Sequence, residues 1–453
     1  MNCCPPDSST ILDFKPLTSN NGLRVRRAAH SVDENYKRKY SNATYLMKNL
    51  PINHPWNFMQ QANVHCAYCD GAYNQSDHPN IKFEVHFSWL FFAFHRAYLY
   101  FYEKILGKLI EDETFALPFW NWDSPEGMTI PAMYTDKSTS LYDELRDAST
   151  QPPTITDLNY HPNKPKANLS NLIERNLRFM HRQMMSGGRT AELFLGQPFR
   201  SGNEPFQGAG SLELAPHANM HRWTGNHSTS LDMGSFGAAA RDPIFFAHHS
   251  QIDRLWEVWK GLPGGRRENF NDDDWLDSAF LFWDEDLKLV RIRVRDVLDT
   301  RKLGYVYEEV PIQWLDMKPE LEELTESMII PVSSFPATVS NSLVSFNASR
   351  SVEKRMVAEE VVVLDGIEFD SSSQVKFDVY ISSPAKSSYS VFAGTFGNLP
   401  AGHRRIRTRM KVGLSDALKE LGAEESETIV VIIKPVSTDV MVTIGAIWID
   451  FSA

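Results

Sequence analysis

Cysteine is scarce in this 453-residue chain, and all of it lies near one end: Cys3, Cys4, Cys66 and Cys69 make up the complement of 4. Clustering of this kind points to a local staple. Cys66-Ala-Tyr-Cys69 has the spacing of half a zinc ribbon or of a redox pair. A zinc ribbon needs a second spaced pair, and adjacent Cys3 and Cys4 make a poor one. Positive charge is also short. The chain has 46 Lys and Arg against 57 Asp and Glu, for a net charge of −11. That balance argues against nucleic acid or an anionic membrane as a partner. No run has the length and purity of a membrane span. The most apolar stretch, Phe87 to Tyr102, contains His95 and Arg96 and reads as a buried helix. The opening Met-Asn-Cys-Cys-Pro-Pro lacks a basic region followed by an apolar one, so no secretory signal is expected there. No internal repeat is evident.

Aromatic residues, by contrast, are plentiful: 11 Trp and 27 Phe within a hydrophobic fraction of 42% supply a large core. The length allows more than one domain. Residues 1–30, with Pro5, Pro6 and Pro16, read as an extended arm. A start signal at Ser31 and Glu34 precedes helical spacing of Val32, Tyr36, Tyr40 and Leu46. A second helix is expected from about Pro55 to His65, followed by a Gly-, Asn- and Asp-rich loop over Cys66 to Lys82. Phe83 to Lys108 is apolar nearly all round, which places a helix there at the centre of a bundle. Residues 118–170 read as mostly irregular. Leu172 to Met185 reads as helix, ended by Gly187-Gly188. Late in the chain, short β-branched runs between turn signals predict a small sandwich or barrel. The expected architecture is a mainly α domain over 1–307 with a central helical bundle, a linker over 308–364, and a β-rich domain over 365–453.

The stretch from Leu212 to Arg254 carries the chemistry. His217 and His221 stand one helical turn apart, about 40° around the axis, so both imidazoles can reach one point. Pro216 suits the first turn of such a helix. Asp242-Pro243 opens a second helical segment that delivers His248 and His249. Asp253, one turn beyond His249, can hold a ring N–H and fix its tautomer. Three neutral imidazoles without a carboxylate or thiolate suit copper or zinc. A second half-site needs more histidines, and His65, His86 and His95 supply them. His86 and His95 are half a turn out of phase on one ideal helix. His86 therefore belongs at the helix entrance or on a distorted turn, and His65 on a separate segment.

The motifs His65-Cys-Ala-Tyr-Cys69, Phe94-His-Arg-Ala-Tyr-Leu99, Leu117-Pro-Phe-Trp-Asn-Trp-Asp123, Pro216-His-Ala-Asn-Met-His221 and Asp242-Pro-Ile-Phe-Phe-Ala-His-His249 resemble those of the plant polyphenol oxidases. These are type-3 copper catechol oxidases and tyrosinases, with aurone-forming members. Tyr305-Val-Tyr307 and Lys376-Phe-Asp-Val-Tyr380 resemble that family's later signatures, so the likeness spans nearly the whole chain. The resemblance implies a catalytic α domain holding two copper ions, with His65, His86 and His95 on one and His217, His221 and His249 on the other. His248 is then a neighbour of the site. It implies a Cys69–His86 thioether and a Cys3–Cys66 disulfide. The family's partner for the cysteine matching Cys4 lies upstream of where this chain begins, which leaves Cys4 free or parted from it.

The implied reaction is oxidation of o-diphenols to o-quinones by O2, two catechols being consumed per O2. Glu213 matches the family's water-positioning glutamate, a helper for phenol deprotonation, and Phe236 its gate residue above the metal at His217, His221 and His249. Ala218 stands where strong monophenolases often carry Asn. Arg222 stands where many plant members have a small or apolar residue, and it can bind the anionic or hydroxyl-rich part of a larger phenol. The expectation is diphenolase activity with weak monophenolase activity. The alternatives are an aurone synthase acting on chalcones and a full tyrosinase. The C-terminal domain resembles a removable shield, with a loop near Gly397-Asn-Leu-Pro400 over the copper entrance. The family implies the plastid, in the thylakoid lumen, with the vacuole as alternative. A dicopper O2 carrier and a dizinc hydrolase are more distant readings, the latter lacking carboxylate ligands in either group.

Overall fold

The helical half is organised by two apolar helices that cross at its centre. The structure, a computed structural model, describes all residues except 1–2, 17–21, 161–168, 227–228, 230, 319, 324–328, 351–357, 385–387, 403, 438–440 and 453. Helix α1 (Glu34–Lys48) starts at Asp33, whose carboxylate accepts the Tyr36 N–H at 2.8 Å. It buries Tyr40, Ala43 and Met47 at helical spacing. Asn57 caps α2 (Phe58–Cys69), which runs past the expected end at His65, so Cys66 and Cys69 are helical.

Helix α3 (Phe91–Leu109) starts later than the expected Phe83, because Phe87 has a left-handed backbone (φ 54°) that no α-helix can include. Every residue from Phe91 to Glu103 is buried, as its unbroken apolarity predicts. Helix α4 (Leu169–His181) continues into a wide turn over Arg182–Ser186, and a short α5 (Ala191–Leu195) follows. Helix α6 is Ala218–Thr224 and α7 is Ile244–Gly261. Helices α3 and α7 interlock through stacked rings, Tyr102 on Phe246 at 3.5 Å and Tyr98 beside Phe246 at 5.5 Å.

The N-terminal arm is paired along much of its length. Ile11–Asp13 joins a three-stranded sheet with Leu289–Arg293 and Ala279–Trp283, and Arg24–Arg26 runs parallel to Tyr305–Tyr307. The Cys3–Cys66 disulfide is formed and ties the arm to α2.

The C-terminal half is two packed sheets. One has the order Ala337–Val339, Val442–Ile444, Glu359–Asp370, Arg405–Gly413, with Ala446–Ser452 also paired to Glu359–Asp370. The other runs Leu321–Glu323, Tyr389–Gly397, Lys376–Ser382, Thr428–Pro435, Leu343–Ser349, Ile329–Pro331. The linker expected over 308–364 is therefore corrected. Its described residues supply strands to both sheets, and Trp314 is fully buried against the helical half. Strand Leu343–Ser349 does alternate buried Val344, Phe346 and Ala348 with more exposed neighbours, whereas the three-residue strands Leu321–Glu323, Ile329–Pro331 and Ala337–Val339 are too brief to show a two-residue period. Parts of that stretch, 324–328 and 351–357, lie outside the described residues. No helix among the described residues is long and apolar enough to cross a membrane.

Candidate metal centre

Two groups of imidazoles face each other in the middle of the helical half. His65 comes from α2, His95 from α3, and His86 from the irregular turn ahead of α3, as the phase argument required. Their ring centroids lie 5.4–5.5 Å apart. In the second group His217 precedes α6, His221 lies on it, and His248 and His249 are on α7. Within each group the candidate ligand atoms lie within 4.8 Å of one another. The groups approach closely: His95 stacks on His249 at 4.0 Å and 11°, and His86 lies 6.2 Å from His217.

The local backbone sets ring direction. His95 Nδ1 lies 2.8 Å from the Phe91 carbonyl, His217 Nδ1 3.0 Å from that of Glu213, and His221 Nδ1 3.2 Å from that of Met233. A carbonyl can only accept, so Nδ1 carries the proton in each and Nε2 is a bare lone pair. Nε2 of His86, His95 and His217, and both ring nitrogens of His65, have no hydrogen-bond partner although buried, and His86 Nδ1 has only the Glu84 carboxylate 3.4 Å away. His221 Nε2 points at His249 Nε2 at 3.2 Å. Buried, unpartnered polar nitrogens are costly unless another acceptor of lone pairs is present, and converging imidazoles fit a metal ion. Burial pushes all of these imidazoles down in pKa, His65 and His217 to about 3, so they are neutral and able to ligate near pH 7.

The surrounding residues depart from expectation at two places. Asp253 does not touch an imidazole. It accepts from Arg96, Arg26, Tyr305 and Tyr307, because the side chain faces away from the site toward the arm and the Tyr305–Tyr307 strand. Phe236 packs on His86 of the first group, 4.6 Å between centroids, and not above the second group. His248 is held by Trp122, whose indole N–H donates to its Nδ1 at 3.2 Å. Trp122 belongs to the Leu117–Asp123 motif, the signal that could have found it. Asp123 in turn accepts from Gln251, Arg254 and the Trp314 indole. Arg146 binds both oxygens of Asp242, which caps the start of α7 through the Ile244 N–H.

Glu213 and Arg222 are both buried at the second group, and Ala218 follows His217 directly. Glu213 Oε1 accepts the Phe87 N–H at 2.7 Å, while Oε2 has no partner. Burial, and then nearby Glu84, push its carboxyl well above the usual range, against the Phe87 hydrogen bond. Arg222 has Nε and Nη1 unpartnered, and burial lowers it to about 10. Cys69, Glu84 and His86 also present atoms within 4.8 Å of each other, a grouping in which Glu84 was not foreseen.

Three family models match in succession: the common central domain of tyrosinase over 55–262, the polyphenol oxidase middle domain over 269–320, and the chloroplastic polyphenol oxidase C-terminal domain over 335–451. A chloroplastic polyphenol oxidase of Malus domestica is 46% identical over 100% of this chain and 81% of its own length. The chain belongs to the plant polyphenol oxidase family. Aureusidin synthase of Antirrhinum majus is 45% identical, with 96% of this chain and 82% of that one covered. The structure of latent apple tyrosinase superposes with a TM-score of 0.91 at 46% identity, covering 98% of this chain and 100% of that one. As a polyphenol oxidase, the protein is an oxidoreductase acting on phenols with O2, and its two histidine groups are those of a dinuclear copper centre. The dizinc reading is thereby set aside.

Proposed function

We propose that the oxidase converts o-diphenols to o-quinones, hydroxylates monophenols weakly, and is latent while its C-terminal domain is in place. His65, His86 and His95 would hold one copper and His217, His221 and His249 the other. His248, whose Nδ1 accepts from Trp122, would be a neighbour of the pair, although its Nε2 is also buried and unpartnered. When bound, the copper pair supplies O2 binding and electron transfer from the phenol. The chain supplies the rest. The six buried imidazoles stay neutral, and the aromatic walls keep water out. A thioether between Cys69 and His86, formed with loss of two protons and two electrons to O2, is supported by the approach of the two side chains within 4.8 Å and would lock a ring that no helix holds.

Weak monophenolase activity follows from position 218. Glu213 offers one unpartnered carboxylate oxygen, but neighbouring Ala218 cannot help it hold a water for phenol deprotonation. Arg222 offers two unpartnered donors in a buried setting, which favours phenols with an anionic or hydroxyl-rich second part. That feature supports an aurone-forming activity on chalcones as the second reading, in keeping with the likeness to aureusidin synthase.

The observation that carries latency is the loop after strand Tyr389–Gly397. The Phe236 N–H donates to the Pro400 carbonyl at 3.3 Å, and Leu399 is buried in one apolar cluster with Phe236, Phe87 and Leu214. Loop 397–400 thus lies over the residue that packs on His86. Several relatives are named chloroplastic, which supports a plastid location, with the thylakoid lumen as the specific site and the vacuole as the alternative. The test is initial rates on tyramine and dopamine before and after proteolysis within 308–364. Dopamine oxidation should rise on cutting and exceed tyramine hydroxylation. Comparable rates on the two, or no gain on cutting, refute the respective parts.

A further inference from the structure

Phe87 stands between the C-terminal domain and the Glu213 carboxylate. It is buried, one residue past His86, and holds φ at 54°. A bulky L-residue keeps that left-handed conformation only where its surroundings brace it. Its N–H donates to Glu213 Oε1 at 2.7 Å, which decides that Oε2 is the oxygen left open. Its carbonyl accepts from the Gly208 N–H at 2.7 Å.

The braces come from the C-terminal domain by three contacts. The Phe87 ring lies 6.2 Å from that of Phe396, on strand Tyr389–Gly397, and 6.0 Å from Phe206. Phe206 also meets the Arg404 guanidinium, 5.6 Å from its ring centre. Gly208 has φ 145°, and a Cβ there would come within 2.8 Å of the Arg409 carbonyl, so strand Arg405–Gly413 lies directly against it.

We infer that Phe87 is a positioning residue through which the C-terminal domain sets the orientation of the Glu213 carboxylate. This rests on the reading of Glu213 as the group serving monophenol hydroxylation. Without Phe396 against its ring and Arg409 against Gly208, the left-handed residue relaxes, the peptide before it rotates, and the N–H leaves Oε1. Removing the domain then does more than uncover the entrance. A plain cover, once lifted, raises monophenol and diphenol rates by the same factor. A cover that also aims Glu213 changes their ratio.

The experiment uses the full chain, uncut and protease-cut, as wild type, Phe396→Ala, Phe87→Gly and Glu213→Gln. It reads initial rates on tyramine and dopamine together with copper content. The wild-type ratio should shift by about threefold or more on cutting. Phe396→Ala should move the uncut ratio toward the cut value with copper content unchanged. Phe87→Gly should give one ratio before and after cutting, because glycine needs no brace to hold φ near 54°. A wild-type ratio that ignores cutting, or a shift of equal size in Phe87→Gly, overturns the proposal. If Phe87→Gly takes up no copper, Phe396→Ala decides alone, and an unmoved ratio overturns it. If Glu213→Gln leaves tyramine hydroxylation intact, it is the reading of Glu213 that fails. Crystal structures of cut and uncut chains then decide the coupling, and a Phe87–Glu213 hydrogen bond present in both overturns it.

Discussion

Asparagine at position 253 keeps the shape of the aspartate and removes its charge. In the structure that carboxylate receives Arg96 Nε at 2.5 Å, Arg26 Nη1 at 3.2 Å, and the Tyr305 and Tyr307 hydroxyls at 2.6 and 2.5 Å. Removing one member of a buried ionic network costs about 3–5 kcal/mol. The lower end applies here, because Arg26 keeps Glu103 at 2.8 Å and Arg96 keeps Glu257 at 2.6 Å. At about 2.1 cal/mol/K of unfolding entropy per residue, a loss of about 3 kcal/mol in a domain of roughly 300 residues lowers Tm by about 5 °C.

The pH dependence has a definite sign. Burial raises the Asp253 carboxyl, but Arg96, Arg26 and the tyrosine hydroxyls outweigh it and leave the group below the ordinary aspartate value. Its contribution is full above the unfolded value, about 3.9, and is lost as pH falls through the lower folded value. The Tm gap between wild type and Asp253→Asn should thus hold at neutral pH and close only below about pH 4. Calorimetry on the copper-loaded full chain measures the gap, and metal analysis measures copper content, which should stay unchanged. A drop in copper affinity of about 10–100-fold with an unmoved Tm would instead mean that Asp253 orients an imidazole and has no such part in stability.

Three further outcomes are expected. Ala218→Asn should raise tyramine hydroxylation relative to dopamine oxidation by about fivefold, the worth of one water-orienting hydrogen bond of about 1 kcal/mol; an unchanged ratio removes position 218 from the argument. His249→Asn should lose one of the two coppers by metal analysis, while His248→Asn keeps both, and the reverse pattern would exchange their roles. In the metal-free chain, the buried imidazoles have folded pKa values depressed by burial, His65 and His217 to about 3. The unfolded state then binds more protons, so stability of the apo-protein should fall steadily as pH drops from about 6.5 toward that value. A flat Tm across that window would mean the rings are solvated.

The sequence alone determined the chemistry of the site, because ligand type is written in residue identity. Imidazoles without a carboxylate among them pointed to nitrogen-only copper or zinc sites, and the likeness of the motifs to those of the polyphenol oxidases paired them into a dinuclear centre. The apolar periods of α3 and α7 placed a bundle around it. The phase mismatch between His86 and His95 even required the irregular turn that Phe87 provides. What the sequence could not decide were the partners brought together from far apart in the chain. Asp253 lies one turn after His249, and local spacing favoured an imidazole. Only the fold brought Arg26 from the arm, Arg96 from α3 and the Tyr305–Tyr307 strand to its other side. The three-residue strands within 308–364 looked like linker because so few residues carry little trace of pairing, although Leu343–Ser349 does show the two-residue period, and Trp314 is buried only by the fold. The covering of Phe236 by Pro400, and the bracing of Phe87 by Phe396 and Arg409, join residues more than 100 positions apart. Such contacts arise from how two domains dock, and no local pattern of side chains encodes them.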